Sequence, residues 1–62
     1  MIQTRYGNEV TILRVEEGTP ENPEWLLVRR EEDGKRYEVH ISDLRAPGGL
    51  TEIIETAKAT AA

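Results

Sequence analysis

His40 is the only histidine of this 62-residue chain, and Ser42 and Asp43 follow it closely. These are the side-chain types of a hydrolytic relay, in which an imidazole takes a proton from a hydroxyl while a carboxylate orients the ring from its other side. The spacing argues against one. Residues this close together at the exit of a strand do not easily wrap around a single ring from both sides. The expectation is a chain that is not an enzyme.

Metal and cofactor chemistry find as little support. One histidine and no cysteine leave no ligand set for a structural zinc site. Glu16-Glu17 and Glu31-Glu32-Asp33 lack the alternating acids and glycine of a calcium loop. Gly48-Gly49 precedes a helical pattern, but without the spacing or the Lys-Ser/Thr pair of a phosphate loop. No cofactor and no metal are expected.

Two binding constellations remain. Arg29, Arg30, Lys35 and Arg36 beside Tyr37 could neutralise phosphate and stack a base, a nucleic-acid reading. Glu31, Glu32, Asp33 and Glu38 lie in the same segment, and the net charge is −4, so a cross-strand ladder of salt bridges is the simpler expectation. Residues 1–31 and 32–62 each hold four basic and six acidic side chains, so neither half is a basic arm or an acidic tail. Trp25 and Tyr37 could instead form an aromatic ledge for an extended Pro-rich peptide. Phe is absent and the aromatics are Tyr6, Trp25 and Tyr37, so Trp25 reads first as a core anchor.

The elements that must position these residues begin with a hairpin. Trp25 to Arg30 and Lys35 to Ile41 flank Glu31-Glu32-Asp33-Gly34, whose Asp-Gly is the dipeptide of a tight type I′ turn. Alternation puts Tyr37, Val39 and Ile41 on one face and Arg36, Glu38 and His40 on the other. A short strand is expected within Ile2 to Tyr6, then a turn at Gly7-Asn8, then a strand over Val10 to Glu17. Val10 and Ile12 share one face of it while Leu13 and Val15 share the other, which predicts a bulge or bend near Ile12. Glu17 to Glu24, with two prolines, is the main loop. Ser42 is a candidate cap for a single helical or 3₁₀ turn.

After Ala46-Pro47-Gly48-Gly49, Thr51 is the candidate N-cap of a helix from about Glu52 to Ala59, with fraying over the last four residues. Leu50, Ile53, Ile54 and Ala57 form one apolar stripe along it. Eight residues do not hold a helix alone, since isolated helices need roughly 12–15, so the stripe must dock on its own domain, on a second copy or on another protein. Leu, Ile and Val number only fourteen, which makes the core thin and self-association attractive. Leu50, Ile53 and Ile54, with Trp25 and Tyr37, are the candidate partner-binding residues.

The opening five residues lack the basic and apolar regions of a secretory signal, and the longest apolar run, Trp25 to Val28, is too short to span a bilayer. The absence of cysteine fits a reducing compartment, so a cytoplasmic location without membrane association is expected.

In order, Gly7-Asn8-Glu9-Val10-Thr11-Ile12-Leu13, a loop, Trp25 to Arg30, the Asp-Gly hairpin and the turn at Ser42-Asp43-Leu44 resemble an SH3-like small barrel over residues 2 to 46. The Ala-Leu-Tyr-Asp-Tyr-like motif of classical SH3 domains and the glycine pattern of the KOW family are both missing. The resemblance implies a mainly β domain over 1–46, either a small antiparallel barrel or a strongly bent sheet. Residues 47–62 then add the Pro-Gly-Gly turn and one short C-terminal helix packed on the same domain. The expected role is a small protein-interaction module, as a homodimer or with an unidentified protein. The alternative is a nucleic-acid-binding accessory protein using the Arg29–Tyr37 hairpin.

Overall fold

The computed structural model describes residues 1–61, and the elements run β1 (Gln3–Thr4), β2 (Val10–Gly18), β3 (Pro23–Arg30), β4 (Arg36–His40), a 3₁₀ turn (Ile41–Asp43), β5 (Leu44–Arg45) and α1 (Gly49–Ala61). β2, β3 and β4 form one antiparallel sheet with β3 in the middle, and β1 pairs with β5 in a second. A bridge between Gln3 and Glu9, with the Val10 N–H donating to the Ile2 carbonyl at 3.0 Å, ties the two sheets together. The sheets do not close into a barrel. Of the two forms expected, a strongly bent sheet is compatible with this arrangement.

The bend near Ile12 is a β-bulge. Ile12 faces Val28, Arg14 faces Leu27, and Leu13 is the extra residue between them. The inserted residue reverses the alternation, so Val15 packs against the same core as Val10 and Ile12. Leu26 and Val28 on β3 are fully buried beneath them, with Val39 from β4 alongside. This parity corrects the role expected for Trp25: with Leu26 and Val28 inward, Trp25 must point outward, and it is 38% exposed. On β4 the alternation holds for Val39 (buried), Tyr37 (half-buried), and Arg36 and Glu38 (exposed), whereas His40, expected to be exposed, is half-buried with its ring against Trp25. Ile41 is half-buried against the core but lies in the 3₁₀ turn, beyond the end of the strand.

The hairpin turn also differs from expectation. A type I′ turn needs positive φ at two successive residues, and here only Gly34 (φ +73°) has it. The loop is instead four residues long, closed by Arg30 N–H to Lys35 carbonyl (2.8 Å) and Gly34 N–H to Arg30 carbonyl (2.7 Å). Asp33 contributes its carboxylate rather than its backbone conformation. It accepts two bonds from the Arg30 guanidinium, at 3.1 and 2.6 Å, and one from the Lys35 N–H at 3.1 Å. Gly18 ends β2 at φ +93°, where a Cβ would lie 2.6 Å from the Asn22 carbonyl oxygen. Only glycine fits that corner.

α1 starts earlier than the capping pattern implied. Thr51 is already inside the helix, and the cap comes from Glu52, whose carboxylate accepts from the Gly48 N–H at 2.8 Å. The helix continues through Ala61, past the expected end at about Ala59, and residue 62 lies outside the described residues. Ile53 (2% exposed) and Ala57 enter the core against β2 and β5, so the helix docks on its own chain. No helix among the described residues is long and apolar enough to cross a membrane.

Candidate aromatic groove along β4

Four consecutive residues of β4, from Tyr37 to His40, line a single groove of about 320 Å³. Successive strand side chains point to opposite faces, so a run of neighbours can share one groove only if it follows the open edge of the strand. Tyr6, Trp25 and Arg30 complete its walls, with Thr4, Asn8 and Asp43 at the margin. Every aromatic residue of the chain therefore borders this groove, together with its single histidine.

Each wall has a local cause. Tyr6 sits on the turn between β1 and β2, where the Thr4 N–H donates to the Asn8 carbonyl (2.9 Å) and the Gly7 N–H to the Thr4 carbonyl (2.9 Å). At 75% exposure Tyr6 is the most open aromatic, held by Arg5, whose guanidinium lies 5.0 Å from the ring centre and donates to the phenol at 2.9 Å. Trp25 and His40 face each other across β3 and β4, edge to face, with ring centres 5.1 Å apart. Tyr37 lies below the guanidinium of Arg30, 5.8 Å from the ring centre. Trp25 and Tyr37 both border the groove, but from opposite faces of the sheet: Trp25 pairs with His40 on the outer face, and Tyr37 pairs with the buried Val28 on the inner one. Tyr6 was not singled out in the sequence, where the only signal was an aromatic residue beside a Gly-Asn turn.

His40 also caps the 3₁₀ turn. Its Nδ1 accepts from the Ser42 N–H at 3.2 Å and lies 2.9 Å from Ser42 Oγ. The cap is the imidazole and not Ser42 as expected, because the ring precedes the turn and its nitrogen reaches the free N–H. Asp43 turns away toward Arg5 (3.7 Å), while its carbonyl accepts from the Arg5 N–H at 2.8 Å. Ser42 and its own backbone N–H meet the same ring nitrogen and Asp43 meets neither, so the three side chains are not arranged as a relay.

The basic residues of the hairpin do not form a cross-strand ladder. Arg29 stands opposite Arg36, and the ion pairs run along the chain instead: Arg29 to Glu31 at 3.4 Å and Arg30 to Asp33 at 2.6 Å. Glu31 also accepts from the Thr11 hydroxyl, which with Arg29 holds its carboxyl below the usual range. The Arg30 fork, helped by the Lys35 N–H, holds Asp33 down at about 2. Lys35 and Arg36 have no ion pair among the described residues.

Of the helix residues, Ile53 is sealed in the core, while Ile54 is half-buried. Leu50, 58% exposed, borders a second groove of about 250 Å³ with Ile41, Leu44 and Ala46. No group of three or more His, Cys, Asp or Glu side chains among the described residues is placed to hold a metal ion. No protein-family model matches the chain, nor does any curated protein or solved structure.

Proposed function

We propose that the protein is a small non-enzymatic interaction module whose recognition face is the aromatic groove along β4, on a fold related to the SH3-like small barrels. The observation that carries the reading is the gathering of Tyr6, Trp25 and Tyr37, the whole aromatic complement, beside an open strand edge. A thin core would gain from burying Trp25, yet the register holds it at the surface, where rigid aromatic side chains contribute most to association. An edge strand with adjoining aromatic walls suits an extended peptide, with backbone pairing for affinity and the rings for side-chain selection. The five-strand order with a single 3₁₀ turn before the last strand supports the SH3-like kinship.

The alternative, a nucleic-acid-binding accessory protein, draws on Arg29 standing opposite Arg36. It ranks second because Arg29 and Arg30 are held by acids on the same turn and the net charge of −4 opposes a phosphate backbone.

The test is selection of a random displayed peptide library on the folded protein, followed by NMR titration of the selected peptides. Binding is expected to shift the amides of Tyr37 to His40 and to weaken about tenfold or more in Trp25→Ala, the usual loss at an aromatic anchor. Selected peptides that leave those amides unmoved, or that bind Trp25→Ala unchanged, would overturn the reading.

A further inference from the structure

We propose that β4 is a homotypic edge: two copies of the chain join β4 to β4, antiparallel, about a two-fold axis passing beside Tyr37. The inference rests on reading the β4 groove as an interaction face and names a second copy of the chain as its partner.

The open edges of the fold are not equivalent. β1 and β5 are two residues each, too short to template a partner. The first residues of β2 adjoin β1 through the Gln3–Glu9 bridge, and its outer half is interrupted by register shifts at Ile12/Arg14 and Val15/Glu17. Bulges of this kind keep an edge from pairing. β4 carries no such bulge. Its register against β3 runs unbroken from Arg29/Arg36 to Trp25/His40, and it contains no proline.

The backbone parity of that edge follows from the hairpin. Arg30 and Lys35 are a bonded pair, so alternation directs the backbone groups of Tyr37 and Val39 toward β3 and those of Arg36, Glu38 and His40 outward. A second β4 can therefore bond at Arg36 and Glu38. Antiparallel pairing centred on Tyr37 sets Arg36 against Glu38 of the partner subunit, and symmetry repeats the contact the other way round. Each facing pair exchanges two N–H···O bonds, about four in all.

The charges select this register. Arg36 sits opposite Arg29 in its own sheet and Glu38 opposite Leu27, and neither has an ion pair among the described residues. The pairing gives both a counter-charge and relieves the arginine opposition. Centring on Glu38 instead would set Glu38 against Glu38 of the partner subunit, a like-charge contact. Tyr37, half-buried on the other face, meets Tyr37 of the partner subunit on the axis, an aromatic cross-strand pair.

Sedimentation equilibrium on the intact chain tests the proposal with Arg36→Glu, Glu38→Arg and the double variant carrying both. The side chains are exposed, so the variants should fold. The wild type is expected to dimerise, each single variant to weaken the dimer by about tenfold or more, since the contact occurs twice, and the double variant to recover most of the loss. A chain that stays monomeric to millimolar concentration overturns the proposal. So does a dimer indifferent to either single variant, or a double variant as weak as the singles. A monomer that still takes selected peptides on β4 would remove the homotypic edge and leave the proposed function standing.

Discussion

Ile53→Ala should unfold this protein far more readily than Leu50→Ala, although both remove large aliphatic groups from the same face of α1. Ile53 is 2% exposed within the core, whereas Leu50 is 58% exposed. Truncating a buried isoleucine costs about 2–5 kcal/mol through lost burial and the cavity left behind. The better helix propensity of alanine returns only a few tenths of that. A domain of this size holds about 3–9 kcal/mol in total, so the loss is a large fraction of its stability. For a loss of about 3 kcal/mol the melting temperature should fall by roughly 12–24 °C. Leu50→Ala should stay within about 0.5 kcal/mol. Ile53→Val, at about 0.5–1.5 kcal/mol, supplies a measurable point if the alanine variant is largely unfolded.

The assay is urea unfolding at one protein concentration, followed by far-UV circular dichroism for α1 and by Trp25 fluorescence for β3. The two probes should move together, because Ile53 and Ala57 join the helix to the β-sheet core in one cluster. Equal midpoints for Ile53→Ala and Leu50→Ala, or loss of helix without a change at Trp25, would refute the claim that α1 is part of the core.

Two further outcomes are expected. Gly18→Ala should destabilise more than Gly34→Ala in the same unfolding assay. Both carry positive φ, at a cost of about 1–2 kcal/mol for an L-residue, but only at Gly18 would the new Cβ strike backbone, at 2.6 and 2.7 Å; equal losses would count against that corner. Asp33 should titrate at about 2, below its ordinary 3.8, with Arg30 as the main cause. Its folded value is depressed, so its stabilising effect is present above the unfolded value and is lost as pH falls from about 4 through about 2. A carboxyl-carbon NMR titration should show this midpoint and an upward move in Arg30→Gln, and a wild-type midpoint near 4 would refute the fork.

Local pattern in the residues alone determined a good deal of this protein. The alternation of Arg36 to His40, the bulge implied by the phase break after Ile12, and the apolar stripe through Ile53 and Ala57 were all legible there. Each depends on near neighbours, whose periodicity reports which side of an element faces the core. Turn and cap identity was less legible, because several partners compete for the same backbone groups. Asp33 bound Arg30 instead of adopting a left-handed conformation, Glu52 displaced Thr51 as the helix cap, and the His40 ring displaced Ser42.

What only the tertiary structure decided was which distant residues meet. Trp25 looked like a core anchor because it is large, but the register that buries Leu26 and Val28 turns it outward, and size cannot override parity along a strand. Tyr6 reaches the same groove from a turn more than thirty residues before Tyr37, a proximity set by how the two sheets bend toward each other. The bridge from Gln3 to Glu9 and the 3₁₀ turn after β4 bring that turn to the β4 edge. Periodicity holds no information about such closures, because they depend on the summed geometry of every element between.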